Sequence, residues 1–257
     1  MNIYRCRLTL LESTFFSSQE ISNYYQTAPL IGNYALAYAL GLCRAPYFND
    51  GSIHYREHLG DLNRREIYVT PATLTGSPRF TLSQFNAQPD AYWYAMANNA
   101  IVTRPDGAWT ENRSKKWYVI RGSGDAKAVG LENRPQHGRI RFLSIGNAAV
   151  FYLISREPYE PPGYIRLGKF MSKARIETQG VDYTEVEADG VHVPFLLNPN
   201  DLATATTLTA FDLVSVPPTP LIQNGLLDGR FYRLDQSTHL PVGMRFGVDS
   251  LPAGQGA

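Results

Sequence analysis

Between His54 and His58 the chain reads His-Tyr-Arg-Glu-His, which on a helix would set two imidazoles one turn apart with Glu57 beside them. That is the pattern of a zinc site with a carboxylate base, the chemistry of a metallopeptidase. Gly51 stands upstream, Gly60 two residues beyond, and little apolar periodicity lies between. No strong helix is expected to hold the geometry, so the segment reads as a solvated loop or short surface helix, with no metal. A second pattern, Gly163-Tyr-Ile-Arg-Leu-Gly-Lys169, matches a phosphate-binding loop until Phe170, where magnesium chemistry requires Ser or Thr. What remains is a Gly-Lys turn that would offer backbone N–H groups and a cation to phosphate. Gly122-Ser-Gly124-Asp-Ala-Lys127 has two of the three dinucleotide-fingerprint glycines, and Asn112-Arg113-Ser114 is a sequon without consequence in a cytosolic chain. His137, between Arg134 and Arg139, has the chemistry for acid–base cleavage of RNA, but a lone His in a basic loop more often extends a binding surface. Cys6 and Cys43 read as small core residues. No catalytic residue and no cofactor is expected.

Charge is the stronger signal. The 257 residues carry 24 Lys+Arg against 23 Asp+Glu, yet residues 101–141 hold nine basic side chains (Arg104, Arg113, Lys115, Lys116, Arg121, Lys127, Arg134, Arg139, Arg141) and four acidic ones. Residues 163–175 add Arg166, Lys169, Lys173 and Arg175 with no acid, leaving 11 basic against 19 acidic side chains elsewhere. Such segregation lets one face hold a polyanion while the whole stays near neutral. Trp109 near Arg113, and Lys115-Lys116-Trp117-Tyr118, interleave rings with cations as single-stranded nucleic acid requires. Trp117 reads equally well as a core residue opposite Tyr118.

The elements that must position these residues form a mixed pattern richer in strand than helix. Residues 2–11 alternate, with Tyr4, Cys6, Leu8 and Leu10 on one side and Ile3, Arg5, Arg7 and Thr9 on the other, predicting a half-buried strand. Ser17 or Ser18 is expected to cap a short helix through Tyr25, Pro29 to stop it, and Gly32-Asn33 to open a second helix over 34–42. Residues 44–65 read as loop, and 67–70 as a strand ended by Pro71. Another strand is expected at 80–85, then an aromatic cluster at Tyr92, Trp93 and Tyr94. The segment 101–141, with Trp117–Ile120 as its clear strand, predicts an extended hairpin or insertion, and Val150–Ile154 a central strand. Residues 181–186 and 191–197 flank Ala188-Asp189-Gly190, predicting a hairpin with Asp-Gly in its turn. Strands follow at 208–216, 230–234 and 242–248, and 251–257 reads as a frayed tail. This order predicts an α+β fold, helices against an antiparallel sheet, in a single domain over 1–257.

The remaining composition excludes several classes. At 44% hydrophobic and 18% charged the chain is not disordered, and no run approaches the ~18 apolar residues of a membrane span. The opening MNIYRCRLTL alternates and has no continuous apolar core, so no signal peptide is expected and the location is cytoplasmic. Two cysteines support neither a disulfide framework nor a four-thiolate zinc site.

The stretches Asn33-Tyr-Ala-Leu-Ala-Tyr-Ala-Leu-Gly41, Ile67-Tyr-Val-Thr-Pro-Ala72, Phe85-Asn-Ala-Gln88 and Ile165-Arg-Leu-Gly-Lys-Phe-Met-Ser-Lys-Ala174 resemble one family. It is the Csc-one, or Cas-five-type, subunit of type I-D CRISPR surveillance complexes, and the likeness runs from the first strand to about residue 180. The resemblance implies a RAMP-superfamily fold, an RRM-like (ferredoxin-like) core with an inserted basic hairpin, the thumb, here at 101–141. It implies a non-catalytic subunit of the antiviral ribonucleoprotein (Cascade) that holds the 5′ handle of the CRISPR RNA. The partners it implies are the large subunit and the repeated backbone subunit, with target DNA met only through the complex and no membrane. Some Cas-five relatives cut the precursor RNA, so an endonuclease on the same fold is the alternative, and a zinc peptidase using His54, Glu57 and His58 a remote one. No RNP-type Gly-Phe-Gly-Phe signature is present, so binding would rely on loops and insertion. The residues expected to contact RNA are Arg166, Lys169, Lys173 and Arg175, then Arg113, Lys115, Lys116, Arg121, Arg139 and Trp109. Asn86 and Gln88 carry amides that would read base edges.

Overall fold

The computed structural model describes residues 1–21, 24–43, 54–87, 92–95, 100–103, 108–113, 116–121, 129–130 and 136–248, those between 85 and 137 through their backbone pairing. The chain divides into two units, one of residues 1–19, 26–81 and 141–257 and one of residues 20–25 and 82–140. The architecture is mostly antiparallel sheet with few helices, as the strand-rich reading expected.

The first unit is built on a seven-stranded sheet in the order Tyr164–Leu167, Ser172–Val181, Asn2–Leu10, Ala148–Ser155, Ala72–Leu74, Leu30–Ile31, with Ile67–Val69 also paired to Ala148–Ser155. Alternation in Asn2–Leu10 sends Cys6, Leu8 and Leu10 to a buried face and leaves Arg5 and Arg7 exposed. Ala148–Ser155 takes partners on both edges, the central position its apolar run demands. The inner face is covered by the helices Asn33–Ala39 and Tyr55–Arg64, through Leu36, Ala37, Leu59 and Leu62, all fully buried.

A second sheet, Thr184–Val193, Leu221–Arg233 and Thr207–Val214 with His239–Pro241, joins the same core through Leu227, Phe231 and Leu240. Tyr152, from the outer face of the central strand, meets Phe195 with ring centroids 5.4 Å apart. Asp201 ties the pieces together. Its carboxylate accepts from the Asn33 amide (2.6 Å), the Tyr68 hydroxyl (2.9 Å) and the Gly247 N–H (2.7 Å).

Several expectations give way to long-range pairing. Residues 19–21 and 24–26 are strands, not a helix: Tyr24–Gln26 pairs beside Gln136–Leu143, and its neighbouring aromatic and β-branched residues suit a sheet. The expected loop at 44–65 contains the helix Tyr55–Arg64, because Leu59 and Leu62 share a buried face three residues apart; residues 44–53 lie outside the described residues. Asp189-Gly190 is a bulge, not a hairpin turn. Both flanks pair with Leu221–Arg233, Ala188 opposite Gly229 and Val191 opposite Leu227. Gly190 sits at φ 65° and donates its N–H to Asp228, so the left-handed residue that suits a tight turn is used to take up an extra residue. Residues 242–248 form no strand; their Phe246 is buried against Tyr34 and Tyr68 instead.

In the second unit, strand is more extensive than Trp117–Ile120 alone. Ala108–Arg113 pairs antiparallel with Lys116–Arg121, which also pairs with Val129–Gly130, and Tyr92–Ala95 pairs with Ala100–Thr103. The polar residues of Ala108–Arg113 hide a strand that only its pairing reveals. Residues 251–257 lie outside the described residues.

Candidate nucleic-acid interface

The edge hairpin of the large sheet brings the second basic run together. Tyr164 stands opposite Arg175 and Arg166 opposite Lys173, while the buried partners Ile165–Ala174 and Leu167–Ser172 hold the hairpin down. Next to it, Thr9 pairs with Arg175, Arg7 with Glu177 and Arg5 with Gln179. Paired residues share a face, so Arg5, Arg7, Arg166, Lys173 and Arg175 all rise from the outer side of three adjacent strands.

Tyr164 lies among them, 57% exposed, with the Lys173 ammonium 4.5 Å from its ring centroid. A tyrosine left open on a sheet face and flanked by cations is a platform for a base between two phosphates. Two carboxylates border the patch. Glu12 lies 3.7 Å from Arg166 and accepts the Lys173 backbone N–H at 2.8 Å, and Glu177 lies 3.3 Å from Arg175. Exposed ion pairs of this kind are worth ~0–1 kcal/mol, so an arriving phosphate can exchange with either at little cost. Arg166 is further oriented by donating to the Met171 carbonyl at 3.1 Å.

The turn of the hairpin departs from expectation. Lys169 donates its backbone N–H to the Phe15 carbonyl at 2.9 Å, and Met171 donates to the Gly168 carbonyl at 3.1 Å. The turn therefore exposes the Lys169 side chain while these two amides are taken by backbone carbonyls, so it is not the amide nest the Gly-Lys pattern suggests. Gly168 is needed there twice over: it sits at φ 71°, and a Cβ would run into the Phe15 carbonyl.

Arg139 is exposed on Gln136–Leu143 in the second unit. Arg113 faces Lys116 across one end of the Ala108–Lys116 ladder, Arg121 faces Ala108 at the other, and Trp109 pairs with Ile120. Asn86 lies on Phe80–Ala87; Lys115 and Gln88 fall outside the described residues, as does Gly122–Lys127, and His137 lies on Gln136–Leu143. Arg5 and Arg7, which the sequence reading did not group with the basic run, lie on the same sheet face. Their signal was present, since alternation already put both on the polar side of the first strand; the missing fact was which strand lies beside it.

The other motifs resolve differently. Gly163–Lys169 spans a β-hairpin arm, without the helix a phosphate loop requires. His54 occupies the position before the helix without a side-chain capping bond and lies 3.8 Å from Glu57, while His58 shares a 2.8 Å hydrogen bond with the Tyr38 hydroxyl. Among the described residues no group of three His, Cys, Asp or Glu is placed to hold a metal. Cys6 is fully buried and Cys43 half-buried, and burial pushes both thiols up to about 11, far from reactive thiolates. No helix among the described residues is long and apolar enough to cross a membrane.

Comparison with known proteins adds three findings. The family described as type I-D CRISPR-associated protein Cas5/Csc1 matches residues 1–249. No curated protein matches the chain. Among solved structures it is similar to a chain of the type III-B Cmr-beta complex, determined by cryo-EM with cognate target RNA and AMPPnP. The identity is 12%, the match covers 88% of this chain and 86% of that one, and the TM-score is 0.39.

Proposed function

The chain belongs to the family of type I-D CRISPR-associated proteins Cas5/Csc1, and from that membership we propose that it is a non-catalytic subunit holding the 5′ handle of the CRISPR RNA. The observation that carries this reading is the outer sheet face, where Lys173 and Arg175 flank an open tyrosine and Arg166, Arg7 and Arg5 extend the same face over three adjacent strands. Cations spaced along paired strands track a phosphate backbone, and one exposed ring stacks a base without demanding its identity.

The strand order supports an RRM-like core. The first strand, Asn2–Leu10, lies between Ser172–Val181 and Ala148–Ser155, with Ile67–Val69 beyond, so the fourth, first, third and second core strands follow one another. A connector with Pro158, Pro161 and Pro162 stands where an RRM has its second helix. In this reading the basic segment 101–141 acts as the thumb, carrying Arg113, Lys115, Lys116, Arg121 and Arg139 to the RNA, with Asn86 and Gln88 reading bases. Besides the buried Asp201, residues 182–235 hold seven acids against two arginines, a surface that repels RNA and suits protein partners. Those partners are the large and repeated backbone subunits, through which target DNA is met.

The test is purification of the chain from cells that express the RNA array. An RNA of one fixed 5′ end is expected to co-isolate, and labelled precursor RNA incubated with the chain alone is expected to stay intact. Cleavage of the precursor without a partner enzyme would make the protein a nuclease instead.

A further inference from the structure

We propose that the cavity beside the Gly168–Lys169 turn receives one everted nucleobase of the bound RNA, with Lys169 on the phosphate next to it. This rests on the RNA-binding reading and deepens it. The cavity, about 380 Å³, is enclosed by Phe16, Tyr34, Tyr55, Pro217 and Pro218, with Lys169 also contributing to its lining. That volume lies within the range of small-molecule sites, which are likewise apolar with a few convergent polar groups.

Three features select the occupant. The first is charge: the lining contains one cation and no carboxylate, so a ligand bearing an anion is favoured. The second is continuity. Lys169 is the exposed cation in the turn of the hairpin whose arms carry Arg166 and Lys173, so a strand following those cations arrives at the cavity. Aromatic and proline walls then give a base the flat apolar contact that splayed single-stranded bases require.

The third is polarity. Ser18 Oγ accepts the Ala28 N–H at 3.0 Å, and Thr219 Oγ1 accepts from the Asn198 amide at 3.3 Å. Both line the cavity, and each hydroxyl retains its own proton to donate. Each also keeps a free lone pair, so the two hydroxyls can pair with a carbonyl or with an amino group on a base edge.

Gly32 offers a clean way to fill the space. It lines the cavity at φ −65°, and a Cβ there meets nothing within 4 Å, so Gly32→Phe places a ring in the cavity without backbone strain. The experiment measures affinity of the full-length chain for handle-length oligoribonucleotides, each with a single abasic position. One position is expected to lose roughly 5- to 150-fold, the worth of one stacked base. Gly32→Phe should cost the same on intact RNA, cost nothing further on that abasic RNA, and leave the salt slope unchanged.

If every abasic position is additive with Gly32→Phe while the basic face still binds, the cavity assignment is overturned and the RNA-binding reading stands. If the wild-type chain binds no RNA, both fall. Should Gly32→Phe keep full RNA affinity and lose association with a partner subunit, the cavity is a protein contact and the inference is wrong. The abasic series on the wild-type chain decides the matter even if the variant folds poorly, since equal affinity at every position overturns it.

Discussion

Reversing two cations on the outer sheet face, Arg7→Glu with Arg175→Glu, is expected to weaken binding of single-stranded RNA roughly 100-fold at low salt. Both side chains are exposed, and they emerge from adjacent strands, Arg175 opposite Thr9 and Arg7 opposite Glu177, so one strand of RNA would meet both. Each neutralised phosphate contributes about −0.7 to the dependence of log affinity on log salt. Losing two should flatten the slope by roughly 1.4, similarly for unrelated sequences, because phosphate contacts position a strand without reading its bases. Folding should be little affected, since neither side chain is buried and the one ion pair broken, Arg175 with Glu177, is a surface pair. Unchanged slope and affinity, with a normal circular dichroism spectrum, would remove the phosphates from this face.

The largest expected effect on stability is at Asp201. Asp201→Ala removes at once the acceptor of two buried donors, the Asn33 amide and the Tyr68 hydroxyl, and of the part-buried Gly247 N–H. Their loss should cost about 3 kcal/mol or more, lowering Tm by on the order of 6–12 °C. The carboxyl is also a pH sensor for the fold. Burial pushes its pKa from 3.8 up to about 7, opposed by the hydrogen bonds from Gly247, Tyr68 and Asn33. A carboxyl with a raised folded pKa favours the folded state fully below its unfolded value, and that contribution is lost as pH climbs from about 4 through 7. Wild-type stability should therefore fall across that window by a few kcal/mol relative to Asp201→Asn, which cannot titrate. Parallel unfolding curves for the two proteins from pH 4 to 8 would show that Asp201 keeps an ordinary pKa.

Short-range patterns in the sequence carried the elements that pack by their own periodicity. Asn2–Leu10 alternates, Asn33–Ala39 is rich in small residues, and Val150–Ile154 is an apolar run within Ala148–Ser155; each stands where its pattern places it. What local pattern could not carry was pairing at a distance. Asp189-Gly190 has the composition of a turn, and only the 13-residue strand Leu221–Arg233 running past both sides makes it a bulge. Tyr24–Gln26 becomes a strand because Gln136–Leu143, more than a hundred residues away, lies beside it. The candidate site followed the same division. Arg166, Lys169, Lys173 and Arg175 stood out as one run, whereas Arg5 and Arg7 join them only through a register spanning some 170 residues.

Photo-crosslinking of a handle-length RNA to the full chain, with crosslinked peptides mapped by mass spectrometry, shows whether RNA lies on the outer sheet face. Crosslinks are expected in the peptides containing Asn2–Leu10 and Tyr164–Val181, with Tyr164 the principal site because its ring is the open platform on that face. Crosslinks confined to the acidic sheet of Thr184–Val193, Thr207–Val214 and Leu221–Arg233, with none near Tyr164, would contradict that placement.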